Sequence, residues 1–405
     1  MKILLVHNHY GEEAPSGENL VYKLERQMLE SAGHEVKVFE RFSDEIRSRG
    51  RLGMLQGGLA TPWNPFMQQR IKSIISEFNP NVMHVHNTFP LISPSIFSAA
   101  SGTARVLTLH NYRLFCPAAI PMRQGNVCTA CLDKKSVLPA LRYGCYRNSR
   151  SATLPLATGV ALHRLLGTWQ RNVEAFIALT DFQSRCMVDA GLPSERVHVK
   201  PNFYPGVPMV MPWEKRIARA VFVGRISEEK GVADLIQAWL AWGKDAPELV
   251  IVGDGELRQV LQASVMDLGA NHIRFVGQVS SRAAQQYIRE SQLVIIPSRW
   301  FEGFPMVLRE AIALGTPVLV SHLGPMPELV KEGGGLVFQA GNPQDLLKNI
   351  KSLWVDKSRL EKMSKISLRT FEFKYTEEVN YRSLMEIYQR AITMYDESLI
   401  ARREQ

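Results

Sequence analysis

The sequence predicts an α/β protein built of two domains, each a doubly wound parallel sheet. Three observations predict it. Short apolar runs alternate with segments of helical period through both halves of the chain. A stretch at 203–216, with Pro205, Pro208 and Pro212, ends in charge and separates the halves as a linker. The length, 405 residues, exceeds one ordinary core and suffices for two.

In chain order, Ile3 to Val6 is a short apolar strand, followed by a glycine-bearing loop from His7 to Gly17 and a helix from Asn19 to Ala32. Gly33 and His34 end that helix, and Val36 to Phe39 resumes strand character, which completes one strand–loop–helix–strand unit. Val82 to His86 is a strand, Ser93 to Ala100 a helix and Val106 to His110 a strand; residues 151–176 read as helical, and Phe176–Thr180 and Val197–Pro201 as extended. After the linker come a strand at Ala220–Gly224, a helix at Val232–Trp242, a strand at Glu248–Gly253 and a helix at Glu256–Leu268. A strand at Ile273–Gly277, a helix at Ala283–Ser291 and a strand at Leu293–Pro297 follow. Val318–Ser321 and Gly335–Phe338 close the set, and helices dominate to the end. Ligands of such sheets bind at the carboxyl ends of the strands, here in the cleft between two facing domains.

Apolar content of 45% and charged content of 21% place the chain among globular proteins. Met1 to Val6 is too short for a signal segment, and no run reaches the length of a membrane span. A cytoplasmic protein is expected. The net charge of +9 is uneven: residues 51–150 hold 11 Lys/Arg against 2 Asp/Glu. This is either a solvated basic face or contact with a polyanion, such as an anionic membrane surface or a phosphate-bearing substrate. Nucleic acid is not expected, since no zinc finger, RNA-binding signature or basic helix with interleaved aromatics is present.

Chemistry concentrates in Glu302-Gly-Phe-Pro-Met-Val-Leu-Arg-Glu310. Gly303, Phe304, Pro305 and Met306 read as a helix start with bare backbone N–H groups, Pro305 at the first helical position, and such groups bind phosphate. Eight residues of helix span roughly 12 Å, so Glu302 and Glu310 suit opposite ends of one elongated ligand rather than one bond. In Val223-Gly-Arg225 to Lys230-Gly231, Arg225 offers a planar fork and Lys230 a point charge; they are either plain surface or pyrophosphate ligands. No metal triad or Asp-x-Asp pair stands beside them, so no catalytic metal is expected. His84 and His86 share one face of a strand and suit a metal pair or structural and acceptor-side roles; His7 and His9 end the first strand and line the acceptor side.

These residues, with the Val252-Gly-Asp-Gly-Glu256 turn and Ala311 to Gly315-Thr-Pro-Val318, resemble the family-four retaining glycosyltransferases of the GT-B fold. The N-terminal half resembles that family's polysaccharide-assembly members in Pro15-Ser-Gly17-Glu18, Gly33-His-Glu-Val36, His84-Val-His86-Asn87 and Leu109-His-Asn-Tyr112. The resemblance implies an acceptor-binding domain at 1–203, a nucleotide-sugar-binding domain at 204–380, and a helix at 381–405 that crosses back. It implies Arg225 and Lys230 on the diphosphate of a UDP- or GDP-sugar, Glu310 on the ribose, Glu302 on the transferred sugar, Gly303 to Met306 on phosphate, and Gly17 closing over it. His110 matches the family histidine near the reaction centre. The donor and a saccharide or lipid-linked saccharide acceptor are then the partners, in capsule, O-antigen or exopolysaccharide assembly. Ser16 stands where many relatives have a second glycine. Base recognition is expected from backbone groups near Gln278 and Val279. A nucleotide-sugar epimerase or hydrolase, or a non-catalytic binding subunit, are the rival readings.

Four of the five cysteines, Cys116, Cys128, Cys131 and Cys145, lie in a basic insertion at about 113–150, with spacings of eleven, two and thirteen. They fit a structural four-thiolate zinc site or are local thiols. The zinc reading makes the insertion a staple that shapes the acceptor site and faces the membrane, with the protein peripheral at the inner face of the cytoplasmic membrane. Leu154–Trp169 is either an interfacial helix or core.

Overall fold

The computed structural model describes residues 1–11 and 16–403; Pro15 of the loop motif lies outside them. The chain divides into two compact units, residues 1–121, 129–201 and those from Asn380 on in one, residues 122–128 and 202–379 in the other.

The first unit is built on β1 (Lys2–His9), β2 (Glu35–Phe42), β3 (Val82–Asn87) and β4 (Ala104–Leu109). A hairpin of β5 (Met122–Arg123) and β6 (Asn126–Val127) follows and is counted with the second unit, before β7 (Ala175–Ala178) and β8 (Val197–Val199) return to the first. The order β2-β1-β3-β4-β7-β8 is parallel throughout. All residues of β3, β4 and β7 are buried, as a sheet covered on both faces requires. The switch in winding direction falls between β1 and β3, so the loops that leave these strands diverge and open a crevice.

The second unit repeats the plan with β9 (Ile217–Val223), β10 (Glu248–Val252), β11 (Ile273–Gly277), β12 (Ser291–Ile296), β13 (Val318–Ser321) and β14 (Gly335–Phe338). Its order, β11-β10-β9-β12-β13-β14, is also parallel and places the switch between β9 and β12. Both sheets are those of the predicted doubly wound class. Gly231 starts the helix Val232–Trp242 at φ 68°, and a Cβ there would lie 1.9 Å from the carbonyl oxygen of Pro297. Only glycine lets the loop after β9 press on the segment after β12, which brings Lys230 beside Ser298. Arg216, buried at the linker's end, donates to Thr316 Oγ1 (2.7 Å), Leu314 O (2.7 Å) and Ser291 O (3.2 Å). Burial lowers its pKa to about 10.

The last helix, Glu377–Arg403, serves the first unit from Asn380 onward. Tyr388 Oη and His84 Nδ1 share a hydrogen bond of 2.7 Å, and Gly102 N donates to Tyr395 Oη at 2.7 Å. Lys200, itself 1% exposed, donates to Glu25 Oε1 (2.5 Å) and Asn380 Oδ1 (3.1 Å), while Asn380 Nδ2 donates to Pro201 O. This buried pair ties the helix Gly17–Ser31, the end of β8 and the last helix together.

Two local expectations are corrected. Pro305 is the N-cap of the helix Met306–Ala313, not its first residue, so Glu302 lies on the loop before the helix and only Glu310 within it. The helix expected at Ser93–Ala100 shrinks to Ile96–Ala99. No helix among the described residues is long and apolar enough to cross a membrane.

Replacing Lys200 by Met leaves the Glu25 carboxylate buried without its cation, and such losses cost about 3–5 kcal/mol. Denaturant unfolding of Lys200→Met checks this; a midpoint equal to that of the parent chain contradicts it.

Candidate active site

In the second unit the loop after β9 and the segment after β12 meet at the switch. Lys230 Nζ donates to Glu302 Oε1 at 2.6 Å, and Ser298 Oγ donates to the same oxygen at 2.7 Å. Glu302 is 5% exposed, whereas Lys230 keeps 26% of its side chain open and stands 5.5 Å from the Trp300 ring centre. The ammonium carries three donors and this contact takes one. Arg299 holds the same loop: its guanidinium grips both oxygens of Asp234 and its N–H donates to Glu229 O at 2.8 Å. Gly125 of the hairpin also packs here, and a Cβ on it would lie 2.9 Å from Glu228 Oε1.

The helix Met306–Ala313 has no side-chain cap at its start, and its first backbone hydrogen bonds run from Leu308 and Arg309 to Pro305 O. Gly303, Phe304 and Pro305 lead into this uncapped end, where the peptide dipoles favour an anion. Arg225 is exposed after β9. Glu310, 8% exposed, has its pKa raised by burial, an effect that Arg309 and a hydrogen bond with Gln285 oppose. Arg309 is fixed by donating to Phe203 O at 2.7 Å. Lys230 and Glu302 therefore meet beside an open helix start in the second unit, with Arg225 on the loop after β9 and Glu310 within the helix.

The first unit places its histidines at the other switch. His86 Nδ1 and His110 Nε2 lie 3.0 Å apart, with the rings stacked at 5.2 Å, and His86 Nε2 lies 3.4 Å from Glu25 Oε2. That carboxylate is bound to Lys200 and can only accept, so a lone pair on His86 Nε2 facing it would be repelled. His86 Nε2 therefore carries the proton, His86 Nδ1 accepts, and His110 Nε2 donates. The remaining group of His110 is the Nδ1 lone pair, an acceptor. Both rings stay neutral: burial first, and neighbouring histidines second, hold their pKa values well below the usual 6.5. His84 is saturated by Tyr388 and by Thr108 Oγ1 (2.7 Å). Glu25, His84 and His86 form the one group of metal-ligand type with its atoms within 4.8 Å among the described residues. Lys200 on the carboxylate and the filled nitrogens of His84 make it a hydrogen-bonded core cluster rather than a metal pair. His7 donates to Asn19 Oδ1 (2.8 Å) and stacks on Tyr22, and His9 meets Glu40 at 3.0 Å.

A cavity of this unit is lined by Glu18, His86, Asn87, His110, Asn111 and Arg113 on its polar side, with Phe97, Leu156 and Trp169 on its apolar side. Burial pushes the Glu18 carboxyl up to about 7 against the pull of Tyr10, Arg113 and Asn111, and its Oε1 has no hydrogen-bond partner among the described residues. Such a carboxyl can take or release a proton near neutral pH. Gly17, the exposed first residue of its helix, follows Ser16, whose hydroxyl caps Asn19 N. Sequence reasoning missed Glu25, Ser298 and Arg299; the first lies one helical face from Glu18, but its partner Lys200 is remote in sequence.

The structure gives the four-thiolate zinc site no support. No three cysteine sulfurs come within 4.8 Å of one another among the described residues, and none of the five cysteines is in a disulfide. Cys128 ends the segment counted with the second unit, whereas Cys116, Cys131 and Cys145 belong to the first. Cys116 is buried, its thiol bonds Ile120 O at 3.8 Å, and burial raises its pKa to about 12.

Comparison with known proteins fits this arrangement. Residues 17–205 match the model described as Glycosyltransferase Family 4, and residues 212–369 the model described as Glycosyl transferases group 1. The chain belongs to this glycosyltransferase family. Two uncharacterized glycosyltransferases of Methanocaldococcus jannaschii are 29% and 30% identical over 43% and 42% of the chain, which spans about half of their length, 45% and 47%. The phosphatidyl-myo-inositol mannosyltransferase of Mycolicibacterium smegmatis is 26% identical over 80% of this chain and 77% of its own. Among solved structures, Anabaena HepE in complex with UDP superposes with a TM-score of 0.65 at 18% identity, over 95% of this chain and 99% of that one. That likeness is one of fold.

His7 and His84 give this unit a pH signature. Burial lowers both pKa values from 6.5 to about 4. The unfolded chain takes up these protons near 6.5 and the native chain only near 4, so their contribution is complete above 6.5 and is lost as pH falls toward 4. Unfolding free energy is expected to drop by on the order of a few kcal/mol across that window. His84→Gln should flatten the slope; an unchanged slope contradicts it.

Proposed function

We propose that the chain is a retaining glycosyltransferase that moves a sugar from a nucleoside diphosphate sugar to a hydroxyl of a saccharide or lipid-linked saccharide acceptor. One observation carries the reading. Lys230, bound to the Glu302 oxygen that Ser298 also holds, stands beside the uncapped helix start at the switch of a doubly wound sheet. A diphosphate takes the vacant donors of Lys230, the fork of Arg225 and the backbone N–H groups from Gly303 to Met306. Glu310 accepts from the ribose hydroxyls and Glu302 from the transferred sugar.

In the step, the bond from the anomeric carbon to the phosphate oxygen breaks while the acceptor oxygen bonds to the same carbon on the same face. The acceptor's proton passes to the departing phosphate oxygen. Charge grows on the diphosphate, and Arg225, Lys230 and the helix start lower the barrier there. His110 offers the Nδ1 lone pair to a hydroxyl near the reacting carbon, in the orientation His86 and Glu25 impose. The first unit takes the acceptor and the second the donor. Support for the donor class comes from HepE, solved in complex with UDP and with UDP-glucose. Support for a lipid-linked acceptor comes from the phosphatidyl-myo-inositol mannosyltransferase.

The test pairs a thermal-shift screen of UDP, GDP and their sugars with transfer assays on Lys230→Ala. A binding nucleotide raises the melting temperature of the parent chain. Lys230→Ala should fold normally, lose most of that shift and lose about 100-fold or more in turnover. Near-parental turnover by the variant, or consumption of donor at one rate with and without acceptor, contradicts the assignment.

A further inference from the structure

The helix Gly50–Ala60 of the first unit is inside out. Its buried residues are Gly53 and Gly57, while Leu52, Met54, Leu55 and Leu59 are 71%, 58%, 63% and 71% exposed. The glycines are inward for a reason of space: a Cβ on Gly53 would lie 2.1 Å from Ile46 O, and one on Gly57 2.6 Å from Ile46 Cδ1. Glycine weakens a helix interior, so this close seat on Ile46, not propensity, holds the helix. Leu52, Leu55 and Leu59 are spaced as one stripe on the opposite face. Gly58 approaches Pro155 of the helix Arg150–Leu165, whose Leu154 is also 54% exposed. Phe66, at the start of the next helix, is 78% exposed.

Single exposed leucines are ordinary, but a helix that buries only glycine and presents every large apolar residue to solvent is not. Charge says what covers it. From Ile46 to Ser76 the chain has no acid and carries Arg47, Arg49, Arg51, Arg70 and Lys72. Arg49 and Arg51, both exposed, flank the leucine stripe on either side by helical spacing. Cations around an apolar ridge match phosphate headgroups around acyl chains. A protein partner of equal apolarity would not ask for an acid-free, arginine-flanked surround.

We infer that this helix is a docking surface for an anionic phospholipid bilayer, with Leu52, Leu55 and Leu59 entering the acyl boundary and Arg49 and Arg51 at the headgroups. The inference is independent of the transfer reading, which stands or falls on the second unit.

The full chain is mixed with vesicles of phosphatidylcholine, with and without phosphatidylglycerol, and bound protein is measured by co-sedimentation. Binding is expected to the anionic vesicles, about tenfold weaker to the neutral ones, and weakened by salt. Leu55→Glu/Leu59→Glu and Arg49→Ser/Arg51→Ser should each reduce partition about tenfold or more, with melting temperature and nucleotide-induced shift unchanged, because all four side chains are exposed. Equal binding by parent and variants overturns the inference, as does no binding to anionic vesicles. A concentration-dependent dimer that Leu55→Glu/Leu59→Glu breaks assigns the ridge to a second copy and overturns it too.

Discussion

Strands that run parallel all end at the same edge, and a doubly wound sheet leaves one place on that edge where successive loops turn away from each other. Each unit of this protein depends on that constraint. In the second unit it gathers the loop after β9 and the segment after β12, so that Lys230 and Glu302, 72 positions apart, meet at 2.6 Å. In the first it gathers the ends of β1, β3 and β4, so that His7, His9, His84, His86 and His110 form one run of ring contacts beside Glu25 and Glu40. The chemistry at both edges is then local: a cation and carboxylate at a bare helix start, and a neutral imidazole pair backed by a buried carboxylate.

The pair of Lys230 with Glu302 matters because each holds the other where a diphosphate sugar would need it. A lysine on a loop spends rotamer entropy when it grips an anion. Bonded to a carboxylate that Ser298 also holds, it has lost part of that freedom already, and two of its donors are still unspent. The first unit pre-orders its reactive group similarly. Lys200 binds one oxygen of Glu25, the other oxygen faces His86 Nε2 at 3.4 Å, and His86 shares a hydrogen bond with His110.

Much of this was legible in the sequence, and the parts that were not share a cause. The helix Val232–Trp242 and the strands β11, β13 and β14 lie where apolar period and glycine punctuation put them. β1 runs past Val6 to His9, and the buried His7, Asn8 and His9 find partners in Asn19, Ser43 and Glu40, which a reading of local polarity cannot see. The helix Pro65–Phe78 carries Met67, Ile71 and Ile75 at four-residue spacing behind an Asn64-Pro65 start, a signal left unread, whereas Gly50–Ala60 buries only glycine and turns its apolar residues outward. Motif spacing located Glu302, Glu310, Arg225 and Lys230, yet nothing in it foretold that Lys230 bonds Glu302. The Cys-x-x-Cys spacing suggested a zinc staple for which the structure gives no support, since spacing alone does not fix how close the sulfurs come.

The reading stands on a diphosphate that takes the remaining donors of Lys230, with its Glu302 contact kept, and sits on the helix start. A crystal structure of the protein with bound nucleoside diphosphate tests it most directly. Terminal phosphate oxygens are expected within about 2.7–3.2 Å of Lys230 Nζ and of backbone N–H groups between Gly303 and Met306, with the ribose on Glu310. A nucleotide bound elsewhere, with no phosphate oxygen on Lys230 or on the helix start, would contradict it.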